Sequence, residues 1–154
     1  MEEIRQSIVQ IITGTIGALG FSIYFRVSKK NVLASMLGGG IGWTIYLIVF
    51  YFSKDLFMSN FVAAVVVFFW SEIMARILKA PSNTFLVPGL IPLIPGGSLF
   101  YTTKSLVESN AQGFVNNGIK TTKIVFGMAA GMVFAAFIVY CFIKTRQNKK
   151  TKNN

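Results

Sequence analysis

The sequence predicts an all-α integral membrane protein with about five transmembrane helices, the fourth broken by proline and glycine. Three observations carry that expectation. The 154 residues are 53% hydrophobic and only 13% charged, and a soluble domain carries about twice that charge. The apolar residues come in long runs of the kind that cross a bilayer as helices. One of those runs contains three prolines and three glycines within eleven residues, Pro88 to Ser98. Residues 1–143 read as a single polytopic membrane domain, and 144–154 as a basic cytoplasmic tail.

The formal charge is +10, with no histidine. On a soluble chain that balance would suggest nucleic acid. Here Lys and Arg lie between apolar runs and in the tail, where they orient a membrane protein, so nucleic-acid binding is not expected. Cys141 is the single cysteine. An internal disulfide and a Cys/His metal cluster are both excluded, and no cofactor is expected. The start, MEEIR, lacks the basic opening and small-residue cleavage site of a signal peptide, so the first span is read as a mature helix.

Ser7 to Phe25 is the first span. Thr13, Gly14, Gly17, Ala18 and Gly20 give it a broad face of small residues, and Arg26, Lys29 and Lys30 close it. Val32 to Phe52 is the second. Ser35, Gly38, Gly39 and Gly42 make its first half small, and such faces let helix backbones approach closely in lipid. That face serves plain packing or leaves room for a substrate or a moving helix. Tyr51 and Phe52 end the span at the interface.

Lys54 and Asp55 form a polar turn, and Leu56 to Leu78 is the third span. It is apolar until Ser71, Glu72 and Arg76. Glu72 and Arg76 are four residues apart and share a helix face. At 1.5 Å per residue Glu72 lies about 24 Å along the helix, inside the far boundary of a core about 30 Å thick. Arg76 and Lys79 can reach the surface, whereas the shorter Glu72 cannot reach as far. Glu72 is therefore an interfacial ion-pair partner, or a carboxylate facing a cavity and open to a proton or an ammonium group.

Pro81 stops the third helix, and the broken segment Asn83 to Tyr101 follows. Pro88, Pro92 and Pro95 lack N–H groups and clash with carbonyls four residues back. Val87, Ile91 and Ile94 are expected in extended conformations. Gly89, Gly96 and Gly97 loosen the same stretch. The freed backbone groups cannot face lipid, so the segment is wrapped by helices or lines a wet cavity. Interrupted segments of this kind point to transporter binding sites. A new helix is expected from Gly96-Gly97-Ser98 to about Val107, with Ser98 as N-cap. Its free amides attract a carboxylate, or are satisfied by neighbours in a merely kinked helix.

Glu108 to Lys120 reads as a polar extramembrane loop. Thr121 to Ile143 is the last span. Gly127 and Gly131 form a GxxxG, extended by Ala135, for internal packing or for docking a second protein. Five spans with a cytoplasmic C-terminus and an external N-terminus put ten basic residues inside and five outside, as the positive-inside rule expects. Four spans, with the broken segment re-entering, would abolish that bias.

Catalytic machinery is absent. Asp55 is the only aspartate, there is no histidine for a Ser-His pair, and no phosphate-cradling loop with a following Lys-Ser or Lys-Thr is present. An enzyme is not expected.

Ser71 to Tyr101 resembles the threonine/serine exporter family, specifically its smaller, C-terminal-type membrane half. The residues that carry the resemblance are Glu72, Ala75, Arg76, Pro81, Pro88, Gly89, Pro92, Leu93, Pro95, Gly96 and Tyr101, with Gly39 to Trp43 in support. The resemblance implies a multi-pass plasma-membrane protein that exports threonine, serine or small dicarboxylates such as succinate, driven by the proton motive force. It also implies a larger membrane subunit as partner, because this chain holds only the small half. On that footing the substrate and proton path comprises Glu72, Arg76, Pro88, Gly89, Pro92, Pro95, Gly96, Gly97, Ser98 and Tyr101. Gly38, Gly39, Gly42, Gly127 and Gly131 serve helix packing or the partner. A stabilising, non-transporting subunit is the alternative.

Overall fold

The computed structural model describes residues 2–151. Residues 152–154, the end of the expected tail, lie outside the described residues. The described chain forms α1 (Glu2–Tyr24), α2 (Lys29–Ser53), α3 (Leu56–Leu78), α4 (Asn83–Leu90), a 3-10 turn (Ile91–Leu93), α5 (Gly96–Val107) and α6 (Ala111–Thr151). No strand occurs among the described residues.

The first three helices stand antiparallel, joined by short turns. α2 is the hub and packs on α1, α3 and α4, while α3 packs on α6. Lipid tails are as apolar as the side chains, so close packing and hydrogen bonds hold these helices together. Glycine supplies the closeness. A Cβ at Gly42 would lie 2.5 Å from Val67 Cγ2, and one at Gly40 2.6 Å from Thr15 Oγ1. Gly39 abuts Ala18 of α1. On α6, a Cβ at Gly127 would lie 2.5 Å from the Phe57 carbonyl, and Gly131 sits against the Phe61 carbonyl. The GxxxG face is thus applied to α3 within the chain.

Helix ends follow from local chemistry. Asp55 accepts a hydrogen bond from the Met58 amide and caps α3. Arg26, Lys54 and Lys79 take left-handed conformations, with φ of 54°, 53° and 50°, just beyond the ends of α1, α2 and α3. A side chain there is strained, but a cation at a helix C-terminus meets the negative end of the dipole.

The bundle has two ends. The first holds the start of α1, the end of α2 and the start of α3. Lys123 reaches Asp55 at 3.9 Å, so α6 enters at this end and then runs parallel to α3. α5 runs antiparallel to the start of α6, with Thr102 and Thr121 hydroxyls 3.5 Å apart. α4 starts at the second end, where α3 stops. The chain therefore passes from one end to the other through α4, the 3-10 turn and α5, with a bend of 51°. Four helices are long and apolar enough to cross a membrane, and this bent pair makes five if it is one span. Arg26, Lys29, Lys30, Arg76, Lys79 and Lys144 gather at the second end.

One expectation about α6 needs correction. The segment 108–120 is not a loop: after a turn, helix begins at Ala111. α5 provides the reason, since Gly113 packs against Ser105 and Gly118 against Thr102. The helix also continues to Thr151 through most of the expected tail. Extending an established helix adds one hydrogen bond per residue without a new nucleus.

Candidate functional site

The broken segment is held deep in the bundle. Phe85 is fully buried and anchors α4, and Pro88 and Gly89 are buried beside it. A Cβ at Gly89 would meet Val67 Cγ1 at 3.0 Å and the Gly38 carbonyl carbon at 3.5 Å. Glycines therefore face each other where α4 crosses α2.

Pro88 does not break α4, and Val87 is helical rather than extended. Pro88 cannot donate to the Thr84 carbonyl four residues back. Ser35 of α2 donates its hydroxyl to that carbonyl instead, at 3.0 Å. The other buried serines, Ser22, Ser59, Ser71 and Ser105, bond carbonyls of their own helices or caps, as serine in a membrane helix usually does. Ser35 alone among them bonds a carbonyl of another helix, while Ser59 also lies 3.4 Å from the Ser53 hydroxyl at the end of α2.

Ile91 is also helical, at φ −55° and ψ −43°, because Pro92 occupies the opening of the 3-10 turn, where no N–H is needed. Only Ile94 is extended, at φ −62° and ψ 132°. Its amide donates to the Ile91 carbonyl at 3.1 Å, the group that Pro95 leaves free. The backbone direction changes here, between Leu93 and Gly96.

Pro95, not Ser98, holds the N-cap position of α5, which corrects the expected cap. Gly96 and Gly97 are exposed, and a Cβ on either would meet nothing within 4 Å. The Gly96 amide donates to the Ile94 carbonyl at 2.7 Å, so the open donors of this helix start are the amides that follow it, at Gly97 and Ser98. Tyr101, further along α5, is exposed as well.

Glu72 and Arg76 form an ion pair at 3.6 Å, with Glu72 at 23% and Arg76 at 59% side-chain exposure. They lie toward the second end. Near them Trp70 donates its indole N–H to the Ala34 carbonyl at 2.9 Å, and its ring occupies the space where Gly38 has no side chain. Pro92, in contrast, is level with Gly39 and Trp43. Gly39 and Trp43 are five and nine residues from Ala34, about 8 and 14 Å along α2 at 1.5 Å per residue. α5 starts beyond Pro92, so the structure does not bring Glu72 to the Gly96–Ser98 amides.

Beside Pro92 lies a groove of about 320 Å³ lined by Gln10, Thr13, Gly14, Gly17, Trp43, Ile91 and Pro92. The Trp43 indole nitrogen is buried and without a hydrogen-bond partner. Sequence reasoning missed Gln10 and named Trp43 only in support of the family resemblance, not as a site residue. A glutamine inside the first apolar run was the available signal.

A central glycine-rich helix with a discontinuous helix wedged against it, in a bundle of membrane-length helices, defines a multi-pass membrane protein of the transporter class. Residues 10–138 match the family model described as Threonine/Serine exporter, ThrE. The chain belongs to that family, which is one of amino-acid exporters. No solved structure matches the chain.

Proposed function

We propose that this chain is a subunit of a secondary exporter of small amino acids, of the threonine/serine type, driven by the proton motive force. It works with a separate larger membrane subunit. The observation that carries this reading is the break at Leu93–Gly96, whose preceding 3-10 turn is seated against α1 and α2 with Ile91 and Pro92 lining the groove. The start of α5 supports a partner, because Gly96 and Gly97 are exposed and a Cβ on either would meet nothing of this chain within 4 Å.

The separation along the bundle divides the work. The break and the amides of Gly97 and Ser98 meet the substrate carboxylate, the Gly96 amide being taken by the Ile94 carbonyl. Glu72, with Arg76 beside it, handles the coupling proton at the other end of the path. The gathering of basic residues at the second end supports a cytoplasmic C-terminus and an external N-terminus in the plasma membrane.

The rival, a scaffold that docks the larger half through its glycine faces, is disfavoured by the packing. Gly39 and Gly42 abut α1 and α3, and Gly127 and Gly131 abut α3, all within this chain. A dicarboxylate substrate is disfavoured too, because Arg76 and Lys104 are each paired to a carboxylate four residues away in sequence, Glu72 and Glu108. The test is reconstitution of the purified chain with its partner in serine-loaded liposomes. Efflux that rises with an imposed inward proton gradient supports the reading; efflux indifferent to the gradient contradicts it.

A further inference from the structure

α1 presents three different faces. Ala18 and Ser22 are buried against the bundle. Ile8, Ile12 and Ile16 are exposed and form an aliphatic surface suited to lipid. Gln6, Gln10, Thr13 and Gly17 are spaced four, three and four residues apart, so they form a third stripe. Ile12 lies about 200° around the helix from Gln10, at 3.6 residues per turn, so this stripe and the isoleucine face point in different directions.

The third stripe does not suit lipid. Gln10 is six residues inside the start of the span at Ile4, or about 9 Å deep. An amide facing hydrocarbon without partners costs several kcal/mol. Both grooves on this face include Gln10. The inner one is the groove at Pro92. The outer one, of about 410 Å³, is lined by Arg5, Gln6, Val9 and Gln10. Together they run from the first end of the bundle to the break. The outer one is an open surface of α1 alone, whereas the inner one is also walled by Trp43, Ile91 and Pro92.

We propose that the Gln6–Gln10–Thr13–Gly17 stripe of α1, with Trp43 and Pro92 at its inner end, is one wall of the substrate path and takes a small solute of zero net charge that carries both donors and acceptors. This deepens the exporter reading and rests on it. The Gln10 amide offers both donors and an acceptor. The Thr13 hydroxyl donates to the Val9 and Gln10 carbonyls, which leaves its oxygen free to accept. Trp43 contributes ring surface at the inner end, its indole N–H being buried without a partner in the chain. The one charged group on the wall, Arg5, is at the mouth and paired to Glu2 at 2.9 Å. A zwitterion with a short polar side chain meets that inventory, whereas a dianion would find no free cation on it.

The test uses cysteine accessibility in cell membranes that contain this chain and its partner. Cys141→Ser removes the native thiol. Gln10→Cys, Thr13→Cys and Gly17→Cys then report on the stripe, and Ile12→Cys and Ile16→Cys on the lipid face. Gly17 has no neighbour within 4 Å of a Cβ, so that variant guards against misfolding of the others. The expected result is labelling by a membrane-impermeant thiol reagent at least tenfold faster at 10, 13 and 17 than at 12 and 16, since thiols in hydrocarbon stay protonated and unreactive. Serine should slow that labelling several-fold, and succinate should not. Unreactive stripe positions would mean that lipid or a partner helix covers them, and labelling unaffected by serine would mean a wet surface that binds no substrate; either overturns the proposal. Serine efflux from the Cys141→Ser cells is read in parallel. Efflux with an unlabelled stripe sinks the path alone, whereas no efflux and no protection sinks the exporter reading with it.

Discussion

Ser35 donates its hydroxyl to the Thr84 carbonyl across 3.0 Å, and Thr84 is the residue whose carbonyl Pro88 cannot serve. One side chain of α2 thereby replaces the backbone bond that proline removes from α4. The helix stays regular through Pro88, and the break is postponed to Leu93–Gly96. A kink near the centre of a bundle is tolerable only when such freed groups find partners.

Ser35→Ala should lower stability by about 1 kcal/mol, the net worth of one such hydrogen bond. Pro88→Ala restores an N–H for Thr84, so Ser35→Ala should cost clearly less in that background. Denaturant unfolding of the four variants in mild detergent measures the coupling. Additive effects would show that the two residues are independent.

Gly127→Ala puts a methyl carbon 2.5 Å from the Phe57 carbonyl oxygen, and backbone cannot step aside cheaply. A loss of about 1–3 kcal/mol is expected. Gly20→Ala, with nothing within 4 Å, should be neutral or slightly stabilising through helix propensity. Equal melting temperatures for the two variants would contradict the packing described for α3 and α6.

Lys79→Gly should stabilise the protein by about 1 kcal/mol, because a left-handed residue other than glycine carries that strain. The loss of a cation at the helix C-terminus offsets part of the gain. Thermal unfolding checks the sign, and a lower midpoint would mean that the charge outweighs the strain.

Much of this architecture was legible in the chain, and the exceptions share a cause. The first three spans, the turn at Lys54–Asp55 and the position of the break follow from apolar run length and from proline chemistry. Val87 and Ile91 escaped because a donor from another helix, Ser35, and the opening of a 3-10 turn absorb Pro88 and Pro92. The segment 108–120 escaped because its helix leans on α5, a contact that composition does not encode. Gln10 and Trp43 were readable as single residues, but their meeting beside Pro92 depends on how α1 crosses α2.

Glu72→Gln should abolish export while leaving the protein in the membrane at its normal abundance. The ion pair with Arg76 is on one helix face and partly exposed, so its loss should cost only about 0.5 kcal/mol of stability. Immunoblotting of membranes separates the two effects. Unchanged export by Glu72→Gln would remove this carboxylate from the mechanism.

The most direct measurement is efflux of labelled serine or threonine from loaded cells expressing this chain alone, the larger subunit alone, or both. The account predicts efflux only with both, collapsing when an uncoupler dissipates the proton gradient. Efflux that is the same with and without this chain would contradict it.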